Sequence, residues 1–244
     1  MIGDFNWGKK TGGKLDGFGK IYFAFQAIIE KQNNKKFSPK LFLSNENDFK
    51  IPDSAIIKHT IEFLKDTHQQ FLINHCFRTY IFGNIYSKKE NIPFDKELLA
   101  IASLLHDIGL TPDHQNKHSN CNCFAIESAI ETGLFLESLE QMEKDKIETI
   151  QNAIALHLNI KVSKNLPEAY LLNKGAAIDV IGQYYNNFPV ETMSKIVQNY
   201  PRLEFKNKIH VLMKQQCAIR PQSRMPFLYQ HGFHKLIKHS AFDE

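Results

Sequence analysis

From residue 52 onward, apolar and polar positions recur with the period of an α-helix. Ile56, Ile57, Thr60, Phe63 and Leu64 follow one another at spacings that place them on one helix face, with Asp53 or Ser54 positioned to cap the start. A second stripe of Phe71, Leu72, His75, Thr79 and Phe82 predicts a helix over about residues 69–88, and Pro93 then breaks the chain. Asp95 can cap a third helix over residues 96–108. That helix is apolar around most of its circumference, so it belongs at the centre of the fold. Gly109 suits its C-terminal end, and Pro112 prevents continuation. Helical patterns follow over residues 125–139, 144–158, 168–183 (opened by Pro167), 190–199 and 203–217. Strand-like alternation is scarce after residue 50 and no internal repeat is visible, so the fold class is all-α.

The N-terminal stretch is different. The first 20 residues hold six Gly and three aromatics, and residues 32–50 are rich in Asn and Lys. The expected organisation is an irregular lead-in over 1–50 packed on the domain, a helical catalytic domain over 51–220, and a C-terminal extension over 221–244. The apolar run Ile21–Ile29 lies behind Lys9, Lys10, Lys14 and Lys20, which faintly resembles a signal sequence. Asp4 and Asp16 interrupt the basic region, Glu30-Lys31 follows with no small-residue cleavage site, and the run falls short of the ~20 residues a bilayer requires. It reads as a buried helix or strand.

Composition narrows the chemistry. A chain of 244 residues buries enough surface to fold without disulfides or a structural metal, and its net charge of +4 is too mild to imply a nucleic-acid partner. Eleven His stand against four Cys, and the spacing of Cys76, Cys121, Cys123 and Cys217 fits neither a disulfide framework nor a CxxC pair. Any metal is therefore expected on His and carboxylate. The cysteine usage fits a reducing compartment, so the expected location is cytoplasmic. The expected partner is a small-molecule substrate, with no nucleic acid and no membrane. The aromatic, Gly-rich segment before residue 26 leaves room for a homo-oligomer.

The most informative segment is Leu104-Leu105-His106-Asp107-Ile108-Gly109. Two ionisable residues end an apolar helix, and burying them without partners costs several kcal/mol. A metal ion offsets that cost, although a His and an Asp at a helix C-terminus also suit the last carbonyls and a turn. Three further residues tip the balance. His75, His157 (in Ala153-Ile154-Ala155-Leu156-His157) and Asp179 (in Ala176-Ala177-Ile178-Asp179-Val180-Ile181) are each a single polar residue in an apolar stripe. Four helices each bringing a His or Asp inward point to one shared ion, as bundles build metal centres from facing helices.

The order His75…His106-Asp107…Asp179 resembles the HD-domain superfamily of metal-dependent hydrolases, over roughly residues 55–185. More narrowly, Asn74-His75-Cys76-Phe77-Arg78-Thr79, Leu105-His106-Asp107-Ile108-Gly109-Leu110-Thr111, Phe124-Ala125-Ile126-Glu127-Ser128-Ala129 and the Gly175–Gly182 segment look like the cyanamide hydratase branch. The resemblance implies an HD-type helical bundle with a metal site between helices. His75, His106, Asp107 and Asp179 would be the ligands of one divalent transition metal, with Zn as first choice and Fe, Mn, Co or Ni as others. His157 would be a pocket residue, or a further ligand if two metals bind. Arg78, one turn after His75, could pair with a carboxylate or bind an anionic substrate. Glu127 could hold a ligand His or be a first-turn charge, and Thr111 could line the pocket or belong to the loop. His59 and His68 read as solvated, His114 and His118 as loop residues, and His210, His231, His234 and His239 need no special role.

In the hydratase reading, activated water steered by Asp107 or Asp179 attacks the nitrile carbon of cyanamide, and His157 protonates the nitrogen on the way to urea. Asp107 and His157 are then the catalytic pair, in a pocket that should be small and mostly apolar. The alternative is an HD-domain phosphohydrolase acting on a nucleotide or other phosphomonoester, with Arg78, Lys161, Lys164 and Lys206 as available cations. A third reading is a metal-stabilised regulatory module without catalysis.

Overall fold

In the computed structural model, which describes residues 1–34, 41–115, 117, 118 and 120–243, Ser54 caps the first helix of the patterned region by accepting from the Ile57 N–H. That helix is α3 (Ala55–Thr67), after α1 (Phe5–Thr11) and α2 (Gly17–Asn34). The chain continues as α4 (Gln70–Glu90), α5 (Lys96–Leu105), α6 (Phe124–Leu139), α7 (Lys144–Leu156), α8 (Pro167–Ile181), α9 (Val190–Asn199), α10 (Phe205–Ile219), α11 (Arg224–Gln230) and α12 (Phe233–Lys238). Among the described residues there is no strand, and the architecture is an all-α bundle. No described helix is long and apolar enough to cross a membrane.

The central elements are α4 and α5. Every residue of α4 from Phe71 to Ser87 is buried, including the polar Asn74, Arg78 and Asn84, and α5 is buried from Leu98 to its end. Asp95 caps α5 by accepting from the N–H groups of Glu97 and Leu98. α5 ends at Leu105, and a 3-10 turn over Ile108–Leu110 takes the place of its expected last residues.

The contact of α4 with α8 sets the site. At Gly175 a Cβ would lie 2.1 Å from the Thr79 carbonyl oxygen, so only glycine permits this approach. One turn away along each antiparallel helix, the same approach brings His75 of α4 and Asp179 of α8 together. Gly109 plays the same part for the 3-10 turn: a Cβ there would meet the Phe124 carbonyl oxygen at 2.4 Å, and its N–H donates to Ser128 Oγ on α6.

The N-terminal segment departs from the expected irregular lead-in. It folds as α1 and α2, with Asp4 capping α1 through the Trp7 N–H. The apolar run in α2 is helical but only half buried. Phe23 packs on Phe227, while Ile21 (73% exposed) and Phe25 (62%) face outward. Nine residues supply more apolar surface than one helix face can bury. Residues 35–40 of the predicted Asn/Lys-rich loop, and Asn116 and Ser119 of the loop after α5, lie outside the described residues.

Candidate metal centre

The end of α5 presents His106 and Asp107 to His75 on α4. His75 Nε2 lies 3.2 Å from His106 Nε2 and 3.5 Å from Asp107 Oδ2, and His106 Nε2 lies 3.3 Å from the same Asp107 oxygen. All three residues are buried. The other ring nitrogen of each histidine decides what these atoms are. His75 Nδ1 is 2.7 Å from Asp179 Oδ2, and His106 Nδ1 is 2.8 Å from the Ser103 carbonyl oxygen. Both partners accept, so Nδ1 carries the proton and Nε2 presents a lone pair. Burial, partly opposed by Asp107, pushes the His106 pKa below its ordinary value and keeps the ring neutral. Three lone-pair-bearing atoms thus converge with no proton assigned between them.

A divalent cation fits this triangle. Donors about 2.0–2.1 Å from a tetrahedral zinc stand about 3.3–3.4 Å apart, within the span of the three observed edges. His157, at the C-terminal end of α7, has the same tautomer logic. Its Nδ1 donates to the Ile154 carbonyl oxygen at 2.6 Å, and its Nε2 lies 3.9 Å from Asp107 Oδ1. Burial first, then the neighbouring His106, hold its pKa well below the usual value.

Asp179 lies outside the triangle, on the far side of the His75 ring. Arg78 grips it bidentately (Nε to Oδ1 at 2.7 Å, Nη2 to Oδ2 at 2.8 Å), and Arg202 Nη1 adds a bond to Oδ1 at 3.0 Å. With His75 on Oδ2 as well, both carboxylate oxygens are engaged, so the structure places Asp179, expected among the ligands, against His75 Nδ1 and outside the triangle. Burial pushes its pKa up, but Arg78 and Arg202 outweigh burial and hold the carboxyl far below the usual range.

Arg78 is spent on this pair and on the Tyr200 and Pro201 carbonyls, so it does not reach toward a substrate. Thr111 is buried, donates to the Ile108 carbonyl and lies 3.0 Å from His114 Nδ1; it shapes the loop and is not part of the cavity wall. Among the described residues Glu127 holds no histidine side chain. Its carboxylate accepts from the His118 N–H and from Arg220, which reaches it from the end of α10. His114 and His118 cluster on Glu131 of α6 and do not close over the triangle.

Several contributors escaped the sequence reading. Arg202 completes the Asp179 cage, and Phe205 stacks on His75 with ring centroids 4.7 Å apart. Arg224 is buried and bonds the Ala155 carbonyl, Asn159 and Cys123 Sγ. One signal was available. The chain has 4 Arg against 26 Lys, and all four Arg are buried, each where a planar fork of donors is used.

His68, read as solvated, is buried at the end of α3, with Nδ1 2.7 Å from Thr67 Oγ1. Burial, reinforced by His106 and His114, pushes its pKa down to about 3. An imidazole kept neutral when folded and protonating near 6.5 when unfolded contributes stability that is full above pH 6.5 and lost as the pH falls toward 3. Between pH 7 and pH 5 this group should cost the wild type ~2 kcal/mol relative to His68→Gln. Urea midpoints at the two pH values check it, and equal pH dependence in both proteins would contradict it.

A cavity of about 680 Å³ opens onto His75, His106, Asp107 and His157. Phe124, Val180, Ile209, Met213, Phe227 and Leu228 supply much of its wall. In the comparison with known protein families, residues 72–188 match the HD domain. No curated protein matches the chain. The matched region contains the triangle, His157, Arg78 and Asp179, and leaves α10–α12 outside it.

Proposed function

We propose that this chain, whose residues 72–188 match the HD domain, is a metal-dependent enzyme that adds activated water to a small polar group, of cyanamide hydratase type. The observation that carries the metal-dependent part is the convergence of His75 Nε2, His106 Nε2 and Asp107 Oδ2 as bare acceptors inside the protein. These three residues would hold the ion. When bound, a divalent metal supplies a Lewis acid and lowers the pKa of water toward about 7.

The chain's own residues do the rest. The cage of Arg78 and Arg202 fixes Asp179, which fixes the His75 ring and keeps the Nδ1 proton away from the donor face. Asp107 Oδ1 faces the His157 side and can orient the attacking water. Neutral His157 accepts a proton at Nε2 and returns it to the atom that becomes electron-rich, the nitrogen of a nitrile. Its Nδ1–H, held on the Ile154 carbonyl, gives the transient imidazolium a fixed orientation.

The mostly apolar wall supports addition to a neutral group. Arg78 is committed to Asp179, and Lys161, Lys164 and Lys206 do not line the cavity, so these cations leave no phosphate cradle beside the triangle. A phosphohydrolase is the second reading, favoured by Lys174 and Lys235 on the wall. Metal-loaded protein assayed in parallel for urea from cyanamide and for phosphate from a panel of phosphomonoesters separates them. Urea release is the expected result, and phosphate release alone would remove the hydratase reading.

A further inference from the structure

We propose that the natural substrate is an amphiphile: an apolar body on the order of twenty heavy atoms, carrying at one end the polar group that meets the metal centre. This inference rests on the metal-dependent reading of the same site and goes beyond it in naming what the cavity holds. Size is the first support. A molecule of three heavy atoms, such as cyanamide, takes about 90 Å³ if each atom occupies a water's share of ~30 Å³. The cavity of about 680 Å³ is several times larger and lies in the range of sites that enclose drug-sized ligands.

Wall chemistry is the second support. Beyond the triangle and His157, the wall is largely aliphatic and aromatic. Two of its polar side chains are already engaged. The Asn173 amide nitrogen donates to the His157 and Asn159 carbonyls, and Asn159 bonds the Ile2 carbonyl and Arg224. A sugar or base bearing many hydrogen-bonding groups would find few partners here, whereas an alkyl or aryl body would be desolvated well.

The third support is where the wall comes from. Ile209, Met213, Phe227, Leu228, Phe233 and Leu236 all belong to α10–α12, outside the matched domain. The domain supplies the donors, and the C-terminal helices supply the enclosure for the substrate body.

The test is binding, which needs no turnover. Straight-chain carboxylates from acetate to decanoate are titrated into zinc-loaded full-length protein by calorimetry. The expected result is a Kd that tightens about two- to fourfold per methylene through octanoate. Ala177→Phe fills the cavity from α8 without deleting a core side chain, and Leu228→Glu places a carboxylate in the wall from α11. Either should flatten the series while acetate affinity, metal content and thermal midpoint stay within error in at least one of the two. A flat series in the wild type overturns the proposal, as does a chain-length dependence that both variants leave intact. Chain-length-dependent binding with no turnover of nitriles or phosphoesters would keep the cavity assignment and sink the enzymatic reading. Turnover without chain-length dependence would do the reverse.

Discussion

His106→Ala should abolish metal retention and lower activity by about a thousandfold or more. The substitution removes one corner of a triangle whose three edges, 3.2, 3.3 and 3.5 Å, suit a single ion. The two remaining donors cannot hold a divalent cation against competition from water, and Asp107→Ala should behave alike. Elemental analysis of purified protein gives the first readout, with about one equivalent expected in the wild type and under a tenth in the variants. A titration separates ligand loss from misfolding: zinc added to chelator-stripped wild type restores activity, and the same addition to folded His106→Ala does not. Stoichiometric metal in that variant would mean the ion sits elsewhere. Asp179→Asn should behave differently, because an amide oxygen can still accept from His75 Nδ1. The expected effect is a 10–100-fold loss of metal affinity with binding retained; complete loss of binding would return Asp179 to the ligand set.

Arg78→Met is expected to destabilise the fold by about 3–5 kcal/mol, a thermal shift of roughly 6–20 °C for a chain of this size. The guanidinium makes two bonds to Asp179 and two to backbone carbonyls, all in the interior. Methionine matches much of its volume and removes all four bonds, leaving a buried carboxylate with Arg202 and His75 alone. Arg78→Lys should recover little, since a single ammonium cannot span both oxygens. The double variant Arg78→Met with Asp179→Leu should be destabilised by less than the two single variants together, because each single variant leaves behind one partner of the same buried pair. The sign with pH follows from the depressed carboxyl. Its contribution is full above its unfolded value near 4 and is lost as the pH falls below that. The gap in stability between wild type and Arg78→Met should therefore be constant from pH 7 to about pH 5 and begin to narrow as the pH falls to 3, as measured by thermal midpoints. A loss under 1 kcal/mol at pH 7 would show that the cage is not structural.

How legible each residue was depended on what its signal rests on. His75, His106 and His157 stood out because a polar residue inside an apolar helical stripe is conspicuous without a structure, and the structure gathers all three around Asp107. Asp179 was conspicuous for the same reason, yet its partner set was not readable. Whether a buried carboxylate meets an ion or a guanidinium depends on what other helices deliver, and Arg202 comes from the turn before α10. Glu127 failed similarly: the arginine it binds lies 93 residues later. His68 reads as solvated from a polar neighbourhood, but tertiary packing at the end of α3 buries it.

By itself the sequence determined the helical class, most helix boundaries to within a few residues, and which polar side chains would be carried inward, because these follow from local periodicity, capping and proline. Only the tertiary structure decided which inward groups face one another, that Asp179 orients His75 from behind, and that α10–α12 enclose a large apolar cavity over the donors. These are distances between residues far apart in the chain. They are set by close helix approaches such as Thr79 on Gly175 and by bidentate arginines, neither of which leaves a periodic trace in the sequence.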